Sequence, residues 1–378
     1  MKFCFFGNIF GAIKGQTIGG AELQVFLLAK ALALKGHEVV IIDPYSTENI
    51  TTPEGIKLIN VPNWNKGIKG FRMFMYRIPA LQKAFALQNA DFYYVRMPSY
   101  IHLIPYLVAK RSGKKFIQAI ASDIDVSSKR KKFQYLYKSN FSLYKFITES
   151  VPNDLVFDYL LRNADFVMLQ HKGQKFKSIS SKNNQVIFSN IIDSHSLPMN
   201  KRPSKSYFLH VGSLNIAKGA DRLLELINIL DDSISVLIIG LPKGRESTEI
   251  YEKLGKKKNV SLMGRKDHKE TLTFISNAKA LINTAYYEGF PNVYLEAWGM
   301  GIPVISLSVN PENIFTTYQL GICCDGDINR MRTCIESNET EHINRDNLRK
   351  YVEKYHDFDT AADRFINALS VSLVERSK

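Results

Sequence analysis

The chain has 378 residues, of which 45% are hydrophobic and 23% are charged, close to the composition of an ordinary soluble protein. This composition excludes a disordered, collagen-like or coiled-coil chain, and the length predicts about two domains. Lys and Arg number 50 against 36 Asp and Glu, which gives a net charge of +14 and favours a polyanionic partner such as a nucleotide, a nucleic acid or an anionic membrane.

The excess of positive charge lies almost entirely in the first half of the chain. Residues 1–195 hold 26 Lys and Arg against 13 Asp and Glu, and the remainder holds 24 against 23, so the two parts carry +13 and +1. We therefore expect an anionic partner to meet the first half. No apolar run reaches the roughly 20 residues of a membrane-spanning helix, and four cysteines without a C-x-x-C pair favour reduced thiols in a cytoplasmic protein.

Short apolar runs alternate with helical patterns along the first half. The predicted strands are Lys2–Gly7, Glu38–Ile42, Lys57–Val61, Phe92–Val95, Lys115–Ile120, Asp165–Leu169 and Gln185–Phe188. The predicted helices are Ala21–Leu34 and the stretches around Phe71–Leu87 and Tyr100–Lys110. Because these strands are almost continuously apolar, they indicate a parallel sheet that is covered by helices on both faces.

A polar stretch with two prolines, Asp193–Lys205, interrupts the alternation and is typical of a linker. The pattern then restarts with predicted strands at Tyr207–Val211, Val236–Gly240, Val260–Met263, Ala280–Asn283 and Pro303–Leu307. We predict a first Rossmann-like domain over residues 1–192, a linker over 193–206, a second Rossmann-like domain over 207–355, and a C-terminal helix within 356–378 that packs back on the first domain. Two Rossmann-like, doubly wound α/β domains that face a central cleft bind ligands between the carboxyl ends of their sheets.

The most informative motif, YEGFPNVYLEAWGMGIPVI, begins at residue 287 and follows a predicted strand. Gly289 permits a close approach of the backbone to a ligand, and Pro291 suits the first turn of a helix. The N-terminus of that helix, near Asn292, offers N–H groups to an anion. Glu288 on the loop and Glu296 one turn into the helix suit hydrogen bonds from sugar hydroxyls. The alternative is a solvated charged pair on a surface helix.

Two further loops are compatible with a phosphate group. After the strand that opens the second half, Ser213 and Lys218 belong to a turn before a helix, where a lysine can neutralise a diphosphate. Gly19 and Gly20 precede another helix N-terminus, although the G-x-G-x-x-G dinucleotide fingerprint is absent. Taken alone, the lysine is compatible with an ordinary surface position and the glycines with an ordinary loop.

Together these motifs resemble glycosyltransferase family 4, a group of GT-B enzymes, over essentially the whole chain. The resemblance rests on Gly-Gly-Ala-Glu near the N-terminus, on V-G-x-L…K-G, and on E-G-F-P-N-V-Y-L-E-A followed by G-x-P-V-I. It implies the GT-B fold and a retaining transferase that uses a nucleotide-diphosphate sugar, with residues 1–192 as the acceptor-binding domain and residues 207–355 as the nucleotide-sugar-binding domain. Because a lysine and a helix N-terminus stand in place of a metal ion, we expect neither a metal nor another cofactor.

The resemblance also implies roles for individual residues. Glu288 is expected to contact the donor sugar, Glu296 the nucleotide ribose, and Lys218 the diphosphate. Gly19 and Gly20 are expected close to the donor and the acceptor. The loop residues expected near the sugar and the diphosphate are Gly289, Phe290, Pro291 and Asn292.

The chain departs from the family pattern at two positions. Ser213 stands where the family usually has an arginine on the diphosphate, and Arg265, after another strand, is a candidate for the missing charge. The family often has His-Asp facing the reaction centre after a first-domain strand, and here only Asp123 matches. Asp123 and Asp125 also form a D-x-D, the pattern that binds a divalent metal in GT-A glycosyltransferases, so a metal-dependent GT-A-like transferase is an alternative.

The stretch Ser128–Ser150 combines six Lys and Arg with several aromatic residues. The aromatic residues at helical spacing are Phe133, Tyr137, Phe141 and Tyr144. One aromatic stripe with basic flanks suits a helix that lies on anionic lipid, and residues 67–77 add similar character. The alternatives are a stripe that belongs to the core with solvated lysines, or aromatics that stack on nucleic-acid bases.

These observations predict a retaining glycosyltransferase that moves a sugar from a nucleotide-diphosphate sugar to a saccharide or lipid-linked saccharide acceptor, in the synthesis of cell-surface polysaccharide or glycolipid. We expect a peripheral protein on the inner face of the cytoplasmic membrane that binds an anionic membrane surface and no nucleic acid. The alternatives are a nucleic-acid-binding protein that uses the basic half, the GT-A-like transferase, and an epimerase or phosphorylase of similar shape.

Overall fold

The computed structural model of the protein describes residues 1–14, 19–68, 71–137, 142–175, 184–198 and 207–374. The chain divides into two compact units. The first consists of Met1–Ala121, Ser142–Ile191 and Phe358–Lys378, and the second of Ser122–Phe141 and Ile192–Asp357. Of the predicted linker, Ser194–Ser196 forms a 3-10 turn, and residues 199–206 lie outside the described part of the chain.

The first unit is built on a largely parallel sheet. Its strands are β1 (Lys2–Phe6), β2 (Glu38–Asp43), β3 (Ile50–Thr51), β4 (Lys57–Asn60), β5 (Phe92–Arg96), β6 (Lys115–Ala119), β7 (Phe166–Leu169) and β8 (Asn184–Ile187). They lie in the order β3-β4-β2-β1-β5-β6-β7-β8, and β3 alone among them pairs antiparallel. The apolar runs form central strands because both faces are covered, and every residue of β5 and β7 is buried.

The second unit has a six-stranded, wholly parallel sheet within the described residues. Its strands are β9 (Phe208–Val211), β10 (Val236–Ile239), β11 (Val260–Gly264), β12 (Leu281–Asn283), β13 (Val304–Ser306) and β14 (Gly321–Cys323). They lie in the order β11-β10-β9-β12-β13-β14. The order therefore reverses between β9 and β12, and a doubly wound sheet binds its ligand at the carboxyl ends of the strands at such a point.

Helices cover both sheets. In chain order they are α1 (Phe10–Ile13), α2 (Gly20–Leu34), α3 (Ile78–Ala86), α4 (Leu103–Arg111), α5 (Lys129–Lys132), α6 (Leu143–Lys145), α7 (Val151–Asn163), α8 (Ala220–Ile229), α9 (Arg245–Leu254), α10 (His268–Ser276), α11 (Asn292–Gly299), α12 (Ile314–Tyr318), α13 (Ile328–Glu336), α14 (Arg345–His356) and α15 (Ala361–Val374). No helix in the described part of the chain has both the length and the apolar character needed to cross a membrane.

The last helix belongs to the core of the first unit. Phe365 on α15 packs edge-on against Phe3 of β1, with ring centroids 5.9 Å apart, and against Tyr94 of β5. Helix α2 contributes Val25 and Leu28 to the same buried cluster. The C-terminal segment is therefore part of the first unit although it follows the second in sequence.

Two predicted features of the basic aromatic region differ from the structure. Residues 122–141 were assigned to the first domain but group with the second unit, where the Tyr135 ring lies 4.9 Å from Tyr286 and 5.0 Å from Tyr287. The single helical stripe across Ser128–Ser150 is wrong. Ser142 is extended, with φ −130° and ψ 117°, and caps a new helix, so one continuous helix does not run through Ser128–Ser150.

The described aromatic residues of the predicted stripe do not belong to a hydrophobic core. Phe133 and Tyr144 are both exposed. Phe141 and the side chain of Tyr137 lie outside the described residues. Within the basic run of α5, Lys132 is buried and the other three residues are exposed.

Candidate active site of the second unit

An ion pair lies at the point where the strand order of the second sheet reverses. Lys218 comes from the loop after β9, and Glu288 from the loop after β12. The Lys218 ammonium contacts Oε1 of Glu288 directly, with 37% of the lysine side chain and 16% of the glutamate side chain exposed. The two charges that the sequence analysis assigned to diphosphate and sugar are thus brought together.

Local structure places Lys218 at this position. Residues Ile216–Lys218 form a 3-10 turn, and the Asn215 side chain caps it by accepting a 3.0 Å hydrogen bond from the Lys218 N–H. Gly219 follows with φ +69°, and a Cβ there would lie 1.9 Å from the carbonyl oxygen of Thr284. Only glycine permits this close approach of two loop backbones.

Hydrogen bonds tie the two loops to each other. The Thr284 hydroxyl donates to the Gly219 carbonyl at 2.9 Å, and the Tyr286 N–H donates to the Ala217 carbonyl at 3.1 Å. Because these bonds flank Lys218 on one loop and precede Glu288 on the other, they fix the spacing of the ion pair.

The loop after Glu288 leads directly into α11. Gly289, Phe290 and Pro291 are buried, and Pro291 is the extended residue before the helix rather than a residue of its first turn. Helix α11 then begins at Asn292, so its N-terminus follows the ion pair by four residues. A helix N-terminus carries a partial positive charge that favours an anion.

Helix α11 is firmly held by its buried face. The Tyr294 hydroxyl donates to Ser306 Oγ of β13 at 3.0 Å, and burial raises the pKa of Tyr294 well above its usual range. Trp298 Nε1 donates to the Leu320 carbonyl at 2.8 Å. These bonds orient the helix that carries Glu296.

Glu296 is buried, with 8% of the residue exposed, and its side chain contacts a histidine. His268 Nε2 lies 2.9 Å from Glu296 Oε1. The hydrogen bond with Glu296 raises the pKa of His268, while partial burial of the imidazole, whose side chain is 51% exposed, opposes this shift. The predicted ribose ligand is therefore a carboxylate with a histidine partner.

The two residues discussed for the missing arginine lie at different strand ends. Ser213 follows β9, and its hydroxyl accepts a 3.2 Å hydrogen bond from Asn215 Nδ2. Arg265 is exposed and follows β11, which is separated from β9 by β10. Strands lie about 4.8 Å apart, so the two residues start from chain positions about 10 Å apart.

The remaining predicted site residues lie on other elements. Asp123 begins a 3-10 turn after β6, and Asp125 in that turn accepts a 2.9 Å hydrogen bond from the Ser122 N–H as part of a capping box. This bond gives one aspartate of the D-x-D a structural role. Gly19 and Gly20 are exposed in the first unit, where Gly19 is the extended residue before α2.

The structure adds His268, Asn215 and the residues around Tyr286 to the site, none of which was predicted as a site residue from the sequence. The Tyr286 hydroxyl donates to Asp221 Oδ2 at 2.7 Å, and the Arg222 guanidinium lies 3.6 Å from the centre of its ring. Burial, followed by the bond with Asp221, raises the pKa of Tyr286 to about 12. Closeness in sequence to predicted site residues was the one available indication. His268 lies three residues after Arg265, and the others lie within the two site loops.

Part of the second unit matches a known family. Residues 194–355 match the family described as glycosyl transferases group 1. A curated relative, the lipopolysaccharide glucosyltransferase WaaG of Escherichia coli strain K12, is 33% identical over 113 residues, and this match covers 29% of each protein. The chain thus aligns with less than a third of that relative's length.

Solved structures resemble the chain over nearly its whole length. Sucrose-phosphate synthase from Thermosynechococcus elongatus has a TM-score of 0.77 at 16% identity, covering 100% of this chain and 98% of its own. Anabaena HepE in complex with UDP and glucose has a TM-score of 0.67 at 13% identity, covering 98% and 100%. For WaaG, the TM-score is 0.66 at 19% identity, covering 96% and 98%. These matches confirm the predicted fold class: the chain has the GT-B fold.

Proposed function

We propose that the protein is a retaining glycosyltransferase of family 4 that transfers a hexosyl group from a nucleotide-diphosphate sugar to a saccharide or lipid-linked saccharide. The observation that carries this proposal is the Lys218–Glu288 pair at the strand-order reversal, directly before α11. It agrees with relatives whose names include a lipopolysaccharide glucosyltransferase and a protein bound to UDP and glucose. We extend the proposal to the synthesis of cell-surface polysaccharide or glycolipid.

Lys218 and the N-terminus of α11 are proposed to bind the diphosphate. An ammonium group has three N–H donors, so Lys218 can serve a phosphate oxygen while it remains bonded to Glu288. As the glycosidic bond breaks, negative charge grows on the leaving diphosphate. A fixed cation and a helix N-terminus stabilise this charge without reorganisation, which lowers the barrier.

The two glutamates are proposed to orient the donor. Glu288 accepts hydrogen bonds from sugar hydroxyls next to the diphosphate, and Glu296 accepts them from the ribose. Gly289, Phe290 and Pro291 shape the loop between these residues and restrict access of water because they are buried. A buried carboxylate that must be satisfied by hydroxyl donors discriminates against ligands that lack them.

Transfer is proposed to occur on one face of the sugar. The acceptor hydroxyl attacks the anomeric carbon as the bond to the diphosphate breaks, and the leaving phosphate oxygen takes the acceptor's proton, so no separate base is required. Asp123, Gly19 and Gly20 are proposed to line the acceptor side of this reaction, and Arg265 to add positive charge in place of the arginine missing at Ser213.

Thermal-shift titrations with UDP-, GDP- and ADP-sugars test this function. A ligand that binds only the folded protein raises its melting temperature with concentration. We expect one nucleotide class to stabilise the protein, followed by transfer of its sugar with retained anomeric configuration. Stabilisation without transfer to any acceptor, but with a rearranged sugar, would favour an epimerase.

A second part of the proposal is peripheral attachment to an anionic membrane through the first unit. Phe71 and Phe74 are 70% and 72% exposed, and Ile68 and Met75 are exposed beside them. Residues 55–90 contain six Lys and Arg and no Asp or Glu. Exposed aromatic side chains within a basic segment suit shallow insertion into a lipid surface.

Sedimentation with liposomes tests this attachment. The Phe71→Ser, Phe74→Ser double variant should bind anionic liposomes at least about tenfold more weakly, since burial of one Phe contributes about 1.5–3 kcal/mol. Leu34→Ser, which removes another exposed apolar side chain of the same unit, is the matched control. If the wild-type protein does not bind anionic liposomes at low salt but binds duplex DNA, the nucleic-acid alternative is favoured.

A further inference from the structure

We propose that His268 is a positioning residue that orients the Glu296 carboxylate toward the hydroxyl groups of the nucleotide ribose. The inference rests on the proposed function and adds a residue that the family resemblance did not assign. His268 Nε2 and Glu296 Oε1 are 2.9 Å apart although the two residues are 28 positions apart in sequence.

The backbone at His268 is fixed by a capping box. Asp267 precedes α10 and accepts a 2.7 Å hydrogen bond from the Glu270 N–H, while Glu270 accepts a 3.1 Å bond from the Asp267 N–H. His268 is therefore the first residue of a well-started helix, and its ring points to α11. Such a box satisfies two N–H groups that a helix start otherwise leaves unpaired.

The backbone at Glu296 is equally fixed. It lies between Tyr294 and Trp298, both of which are fully buried and hydrogen-bonded to other elements. Rotation about the side-chain bonds is then the main freedom left to the Glu296 carboxylate. The bond from His268 restrains that rotation.

An ionised carboxylate only accepts hydrogen bonds, so Nε2 of His268 is the donor in this pair. A carboxylate offers about four acceptor positions, and one bond from the imidazole leaves room for two ribose hydroxyls. A buried carboxylate without such a donor is costly, and its neutral, protonated form becomes favoured. His268 therefore keeps the Glu296 carboxylate oriented and supplies it with a hydrogen-bond donor.

The surrounding charges support this assignment. On its own helix, His268 has Asp267 before it and Glu270 two residues after it, and Glu270 pairs with Lys266 at 3.4 Å. On α11, the packed neighbour, Glu296 is the group that faces the imidazole. The bond with Glu296, opposed by burial and aided by Asp267, raises the pKa of His268.

The test compares His268→Gln with His268→Leu. Glutamine carries an N–H₂ group near the position of Nε2 and does not titrate, whereas leucine removes the donor. The measurement is the dissociation constant of UDP, GDP and ADP from pH 5.5 to 8.5, with exposed His342→Leu in the same unit as the control.

We expect His268→Gln to bind within about threefold of the wild type and His268→Leu to bind about tenfold or more weakly, the loss typical of a hydrogen bond to a charged group. A merely structural role would give equal defects in the two variants, because neither would depend on the N–H donor that only glutamine keeps.

Several outcomes overturn the inference. If His268→Leu binds nucleotide as tightly as the wild type at every pH, His268 has no positioning role. The same conclusion follows if His268→Gln binds as weakly as His268→Leu. Both outcomes leave the proposed function intact. A wild type that binds none of the three nucleotides overturns the proposed function and this inference together. Nitrogen NMR of the wild type supplies an independent check, since we expect a proton on Nε2 from pH 6 to 8, and a proton on Nδ1 alone would contradict the geometry.

Discussion

The two units share the order of six parallel strands, β4-β2-β1-β5-β6-β7 in the first and β11-β10-β9-β12-β13-β14 in the second, and differ in the side chains at the strand ends. In the second unit, the loops after β9 and β12 are bonded to each other and hold Lys218 against Glu288. In the first unit, the corresponding strands are β1 and β5, and the latter ends at the buried Arg96, whose Nη2 donates to Asn190 Oδ1 at 2.7 Å. The same topology thus places an ion pair in one unit and a bond between a cation and a neutral amide in the other.

The surfaces of the units differ as well. The first unit exposes large apolar side chains on two segments, one around Phe71–Met75 and one over Leu143–Leu155. The second unit exposes few, among them Leu241 and Tyr318. The comparison teaches that the fold decides where a site can be built, while the side chains decide whether the unit binds a small charged ligand or a larger surface.

Removal of the Lys218 charge should have the largest effect on activity. Lys218→Ala should lower kcat by about 10²–10³-fold, because the diphosphate loses a preorganised positive charge as it leaves. Lys253→Ala, at an exposed position of α9, is the matched control and should leave kcat unchanged. Unchanged turnover in a folded Lys218→Ala protein would show that Lys218 does not stabilise the leaving diphosphate.

The close approach of the two loops can be tested through stability. Gly219→Ala should lower the free energy of unfolding by about 2–4 kcal/mol, since the new Cβ meets the Thr284 carbonyl in addition to the strain of a positive φ. Gly264→Ala has nearly the same φ, +66°, with no atom within 4 Å, and should cost about 1–2 kcal/mol. Urea titrations measure both free energies of unfolding. Equal losses in the two variants would show that the contact between the loops contributes nothing.

The two glutamates should separate binding from turnover. Glu296→Ala should weaken the affinity for the free nucleoside diphosphate by about tenfold, because the ribose loses its acceptor. Glu288→Gln should leave that affinity nearly unchanged and lower kcat by about tenfold, because the donor sugar is no longer held. Isothermal titration and initial rates measure the two effects, and equal affinities in both variants would contradict the division of roles.

The smallest expected effect concerns metal ions. Activity should be the same in EDTA as in Mn²⁺, because Lys218 and α11 are proposed to take the place of a cation at the diphosphate. Initial rates in the two buffers measure this. Strong loss of activity in EDTA that Mn²⁺ reverses would contradict the metal-free proposal and would make Asp123 and Asp125 the candidate metal ligands.

Local patterns in the sequence were sufficient for much of the architecture. Most strands follow the predicted apolar runs closely, as β1 does at Lys2–Phe6 and β9 at Phe208–Val211, whereas the short strands β3 and β14 were not predicted. The loop at Glu288 and the helix that follows it were also predicted, because Gly289 and Pro291 indicate a loop directly before a helix. These features depend on neighbouring residues, and such dependence is visible in a single sequence.

Contacts between distant residues were decided only by the tertiary structure. Lys218 and Glu288 are 70 residues apart, and no periodicity shows that they pair rather than bind a ligand separately. His268 was overlooked because its role comes from the packing of α10 on α11. The aromatic stripe over Ser128–Ser150 failed for a related reason, since helical spacing does not reveal an extended residue such as Ser142. The sequence alone therefore indicated where most strands, loops and helices lie along the chain, because these depend on neighbouring residues. The order of the strands in the sheet, with its reversal between β9 and β12, brought two distant loops together and decided which charges meet.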